Sequence, residues 1–155
     1  MRVLTEAGTI HIEARDVVSD GFVKGLLVDV AQHVAKAADA KVPNYEVNAE
    51  WDVSENTGRR YALTSGDFNL IHIHAITAKA FGFKQAIAHG MWSKARALAS
   101  LSLPDAYEAD VWFKLPMYLP SKVQFATATS GQDTDFLIRN SKSQKPHVSG
   151  SIKAI

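Results

Sequence analysis

Apolar and polar residues alternate through residues 8–15 (GTIHIEAR), the period-two pattern of a strand with one buried face. The pattern returns in the last third of the chain. Residues 109–115, 122–129, 135–140 and 147–154 are rich in β-branched and aromatic residues, and Pro, Gly or an Asn-Ser-Lys-Ser turn separates them. Four more strands are predicted there. The middle of the chain follows a different period. Ser54-Glu55-Asn56-Thr57 predicts a helix start with Ser54 as N-cap, a run to about Leu63 and a break at Ser65-Gly66. A second short helix is predicted over 76–81, closed by Gly82. The clearest helix follows Gly90 (MWSKARALASLSL): Met91, Ala95, Leu98 and Ser102 share one face, and Pro104 stops it. Ser93, Ala95, Ala97, Ala99 and Ser100 keep its girth small, so a sheet can wrap it closely. Residues 22–35 read two ways, strand by their Val and Leu density, helix by the alanines from Ala35 to Ala40; we take a strand leading into a turn or short helix. Residues 39–48, punctuated by Pro43 and Asn44, read as a linker. With no repeat in evidence, the order is α+β: strands, short helices, one central helix, then consecutive antiparallel strands.

The 155 residues suit one domain, 1–155, with its own core. The formal charge of +1 gives no electrostatic reason to expect nucleic acid or an anionic membrane as partner. Apolar stretches such as Gly25 to Val30 are too short to span a bilayer, and the opening MRVLTE does not read as a signal peptide. The absence of cysteine excludes disulfides, thiolate nucleophiles and zinc–thiolate sites. A cytoplasmic, non-redox protein is the expectation.

The string SGDFNLIH (65–72) carries the most chemistry. Asp67 and His72 are five residues apart, which on a regular helix would leave their side chains about 140° apart. They can cooperate only if the backbone between them is irregular, and Gly66 and Asn69 favour that. Together they could hold one water, one partner taking a proton and the other giving one; alternatively, Asp67 caps a turn and His72 is a core residue. In AIAHGMW (86–92), Gly90 stands at the mouth of the best helix. Unpaired N–H groups there can stabilise an enolate oxygen, or Gly90 merely permits a tight turn. A metal held by His72, His74 and His89 carries little weight, because no carboxylate lies at ligand spacing beside them. His74 reads as an exposed or capping residue and His89 as a packing or loop-shaping one. Arg59 and Arg60 could meet phosphates but read better as a solvated helix face, and Lys79, Lys84 and Lys94 either flank a pantetheine-phosphate path or are surface charges. Trp92, Phe81 and Phe83 line an acyl tunnel or pack the core.

Taken together, YALTSGDFNLIH (61–72), FGF (81–83) and IAHGM (87–91) resemble the signature of the MaoC-like hydratase family, an S-G-D-x-N-P-[apolar]-H segment paired with a downstream H-G-M turn. FKLPMYLPSKV (113–123) is similar to the strand–Pro–strand region that follows the family's central helix. The resemblance covers residues 51–152. It implies a hotdog fold, a curled antiparallel sheet wrapped around a central helix. It also implies reversible syn addition of water to a trans-2-enoyl thioester of CoA or acyl-carrier protein, giving the (R)-3-hydroxyacyl thioester. By the match, Asp67 and His72 form the catalytic pair, Asn69 helps position them or the water, and the Gly90 N–H is the oxyanion donor. No cofactor and no metal is implied. Leu70 departs from the pattern, standing where the family has Pro. One motif-bearing half in a family with many two-half members leads to the expectation of a homodimer. The competing expectations are a hotdog thioesterase, an acyl-CoA-binding or regulatory domain with a degenerate site, and a structural half that pairs with another chain.

Overall fold

A computed structural model describes the backbone of residues 2–6 and 9–13 and all of residues 44–155. The chain runs β1 (Arg2–Glu6), β2 (Thr9–Glu13), β3 (Glu46–Val53), α1 (Thr57–Ser65), α2 (Leu70–Ile73), α3 (Ala75–Ala80), α4 (Gly90–Leu98), β4 (Tyr107–Phe113), β5 (Ser121–Ser130), β6 (Asp133–Asn140) and β7 (Pro146–Ala154). The strands form one antiparallel sheet in the order β2-β1-β4-β7-β6-β5-β3. The strand expected over 8–15 contains β2, and the four expected late strands are β4 to β7. The strand-or-helix stretch 22–35 lies outside the described residues.

Register carries the period-two pattern across the sheet. Trp51 pairs with Val123, Phe125 with Ile138, Ile138 with Val148, and Ala109 with Ile152, all of them buried. Their side chains therefore line one face. Trp51 stacks on Phe125 with ring centroids 5.1 Å apart, and Phe125 meets Phe136 at 6.2 Å. Ala97 of α4 is completely buried in this cluster, with Trp92 and Leu98 packed against it, so the sheet's inner face closes on α4. Burying each such large apolar side chain stabilises the fold by about 1.5–3 kcal/mol.

Four expectations need correction. Residues 46–48 were read as linker, yet they open β3. This strand lies at the sheet edge, and through most of its length only alternate residues, Trp51 and Val53 above all, reach the core, so polar residues make up half of it. The first helix is capped from Asn56, not Ser54; Ser54 instead closes a preceding turn, its carbonyl accepting from the Thr57 N–H at 3.1 Å. The central helix ends at Leu98, with Ala99 as its C-cap, well short of Pro104. Its inward face is Ser93, Lys94 and Ala97, whereas Met91 and Ala95 are exposed. Small side chains at 93 and 97 let the sheet come close, as their size leads one to expect, and the larger Met91 is left outside. Lys94, read as a surface charge, is only 4% exposed; burial holds its amine below the usual lysine value, and its Nζ has no hydrogen-bond partner.

Candidate active site

Two breaks in the helical path build the site. Gly66 ends α1 in the left-handed region (φ 75°), a conformation that costs glycine no Cβ clash. Asn69 then restarts the helix as N-cap of α2, its side-chain oxygen accepting from the Ile71 N–H at 3.3 Å. Between them Asp67 holds the turn with its own carboxylate: Oδ1 accepts from the Asn69 N–H at 3.1 Å, and Ser65 Oγ accepts from the Asp67 N–H at 3.2 Å. The irregular backbone expected between Asp67 and His72 is present. Leu70 opens α2, the first helical position, where proline is favoured because its N–H has no intrahelical acceptor.

His72 sits in the last turn of α2, and two contacts set its position. A Cβ on Gly58 of α1 would overlap the His72 carbonyl, so α2 lies this close only because residue 58 is glycine. The ring Nδ1–H donates to the Ile87 carbonyl at 2.8 Å. A carbonyl only accepts, so the neutral ring keeps its lone pair on Nε2. Ile87 is itself anchored: its N–H donates to the Ile71 carbonyl at 3.1 Å, and Ala88 N–H and Ala86 carbonyl bond to Met117 and Leu119 at 2.8 Å each. Burial pushes the His72 pKa below the ordinary value of 6.5; the nearby His89 lowers it further, while the Ile87 hydrogen bond and Asp67 oppose the shift.

His89 completes the cluster. Its ring stacks on His72 with centroids 3.8 Å apart and meets Tyr61 at 4.9 Å. Its Nε2–H donates to the Asp67 backbone carbonyl at 3.0 Å and lies 3.8 Å from Asp67 Oδ2. It is 2% exposed, whereas the Asp67 side chain is 54% exposed. One side-chain donor atom each from Asp67, His72 and His89 falls within 4.8 Å of the others. With the His89 Nε2 proton claimed by a carbonyl, that nitrogen has no lone pair for a metal, and the hydrogen bonds suit proton transfer better than coordination.

Gly90 follows as the first residue of α4, where the helix leaves its N–H groups without intrahelical acceptors. Phe113 bounds it on the side where a Cβ would project, at 3.0 Å. The structure thus brings Asp67, Asn69 and His72 into one loop–helix corner and joins it to Gly90 through His89. His74 caps α3, its Nδ1 accepting from the Ile76 N–H at 3.2 Å, and is not among the residues that share the Asp67, His72 and His89 cluster. Arg59 donates to the Ile73 carbonyl and to Asn56, a local use that asks for no ligand. Sequence reading passed over Gly58 and the hydrogen bond of His89; nothing in a single sequence pairs residue 58 with 72, though the adjacency of His89 to Gly90 was a signal.

The family model for the MaoC-like domain matches residues 36–149. The chain belongs to the MaoC-like domain family. This MaoC-like chain is 37% identical over 99 residues to 3-hydroxyacyl-thioester dehydratase X of Mycobacterium tuberculosis, covering 63% of the chain and 35% of that protein. The crystal structure of HtdX from the same organism superposes with a TM-score of 0.67 at 34% identity, over 70% of this chain and 48% of that one. R-hydratase PhaJ1 from Pseudomonas aeruginosa superposes with a TM-score of 0.58 at 23% identity, over 76% of this chain and 83% of that one, a likeness of fold. The fold is the hotdog expected from the motifs. The MaoC-like chain spans from about a third to a half of the length of the mycobacterial relatives it matches. No helix among the described residues is long and apolar enough to cross a membrane.

Proposed function

We propose that this chain adds water reversibly to trans-2-enoyl thioesters, giving (R)-3-hydroxyacyl thioesters, with CoA or acyl-carrier protein as the carrier. The observation that carries the reading is the corner in which an exposed carboxylate, Asp67, and an imidazole with its lone pair on Nε2, His72, lie within 4.8 Å beside the start of α4. The chemistry needs those three parts. As the water oxygen bonds to C3, one of its protons passes to His72 Nε2, while the Asp67 carboxylate accepts from the other and orients the lone pair. Electrons from the C2–C3 double bond move onto the thioester oxygen, where the Gly90 N–H meets the charge. His72 returns its proton to C2 from the same face, so water adds syn and the imidazole ends neutral. A ring whose pKa is held low gives that proton up readily. Phe68 and Leu70 stand exposed on either side of Asn69, at 57% and 51%, an apolar rim suited to an acyl chain. The mycobacterial relative, by name a 3-hydroxyacyl-thioester dehydratase, agrees with this reaction class.

The test follows enoyl absorbance with crotonyl-CoA and a longer enoyl-CoA, together with product chirality and free CoA. Wild type is expected to yield the (R)-alcohol without releasing CoA. Asp67→Asn and His72→Gln are each expected to lose roughly 10²–10⁴-fold in kcat while remaining folded. An inert wild type, an (S)-product, or full activity in either variant overturns the proposal; CoA release would indicate a thioesterase instead.

A further inference from the structure

His89 makes two separate contacts that the water-adding chemistry does not itself require. Its ring lies flat on His72 at 3.8 Å, and its Nε2–H reaches the Asp67 carbonyl at 3.0 Å. Asp67 belongs to an exposed segment, every residue from Leu63 to Leu70 being exposed, and His72 is half-buried, yet His89 is 2% exposed. Its Nδ1 is buried without a hydrogen-bond partner. Leaving a polar nitrogen unsatisfied costs about 1–3 kcal/mol, a cost that phenylalanine would avoid if the site needed only a flat ring. Glutamine would supply the donor if the site needed only the hydrogen bond. Histidine offers both, a ring to cover His72 and an N–H at the edge of that ring to hold Asp67, and does so without the bulk of an indole.

We infer that His89 is a positioning residue that sets the gap between Asp67 and His72, clamping one by its backbone carbonyl and the other by its ring face. The inference rests on the proposed reaction for its consequence in turnover, though its geometric content is independent of any substrate. The groups facing His72 are Asp67, His89 and the Ile87 carbonyl, and Tyr61 stands behind His89. The proposed steps use Asp67, His72 and the Gly90 N–H and ask nothing of the His89 side chain, so loss of the clamp should act on kcat far more than on KM.

Two substitutions separate the two contacts. His89→Phe keeps the ring and removes the donor. Its expected effects are faster amide exchange at Asp67 to Asn69, a roughly 10–100-fold fall in kcat, as expected for sub-ångström misplacement, and a KM within about threefold of wild type. Burial, the larger cause of the low His72 pKa, is kept, so His72 should titrate near its wild-type value by NMR. His89→Gln keeps a donor of similar reach and removes the ring. The loop amides should stay protected, while the His72 titration rises toward the ordinary histidine value and the acid limb of kcat/KM moves up with it. If both variants keep kcat within about twofold, or lose activity in step with a common fall in melting temperature and without this split, the inference is overturned. If wild type proves inert toward enoyl thioesters, the proposed reaction falls, but the NMR titration and amide exchange still decide the role of His89.

Discussion

Leu70 is the one residue at which the motif departs from its family, and the structure shows why the departure is tolerable. It occupies the first position of α2, where a proline would lose no hydrogen bond. The preceding Asn69 has φ −56° and ψ 125°, the extended conformation that a following proline demands. The Asn69 side chain already closes the turn that proline would stiffen. Leu70→Pro is therefore expected to leave enoyl-thioester turnover intact and to raise stability by about 0.4–1 kcal/mol, through the unfolded chain's lost freedom. The urea midpoint of folded wild type and variant checks this; a fall in midpoint would show that the backbone at 70 does not match proline.

At the scale of elements, the corner between α1 and α2 depends on a residue without a side chain. Gly58 is buried in α1 where helix propensity alone favours alanine by about 1 kcal/mol. Its missing Cβ is the room that the His72 carbonyl fills. Gly58→Ala is thus expected to destabilise by roughly 1–3 kcal/mol and to cut the proposed turnover by moving His72 away from Asp67; a stabilised, fully active variant would show that the helices separate freely. Such dependence explains what was legible in sequence. The late strands were plain because each buries alternate large residues, and α3 was plain because Gly82 ends it. The candidate site was legible as a list, Asp67, Asn69, His72 and Gly90, because a short motif carried them, and their roles stand as proposed. The clamp from His89 and the close approach at Gly58 were not, since both are contacts between separate segments. The small girth of α4 was legible and fits a sheet that approaches Ser93 and Ala97, but which side turns inward was not, because small residues ring the helix.

Across the whole molecule, buried histidines couple folding to pH. Burial lowers the pKa of both His72 and His147, although backbone carbonyls oppose the shift in each. In the unfolded chain both titrate near the ordinary value, so as pH falls through that value the unfolded state binds protons first and gains stability over the folded one. The stability they contribute is complete above the unfolded pKa. It is lost progressively toward the folded pKa. Melting temperature should accordingly fall between about pH 7 and pH 5, and less so in His147→Gln; a flat profile would show that neither ring is held neutral by the fold. The distribution of contacts has a further consequence. Three of the strand pairings, β1–β4, β3–β5 and β4–β7, join strands distant in the chain, whereas the His72 and His89 hydrogen bonds join residues 15 and 22 positions apart, inside one excursion between β3 and β4. A substitution among residues 57–98 can therefore reshape the corner without touching the pairings that hold β4 to β7 together, so the wall and the corner are separately adjustable.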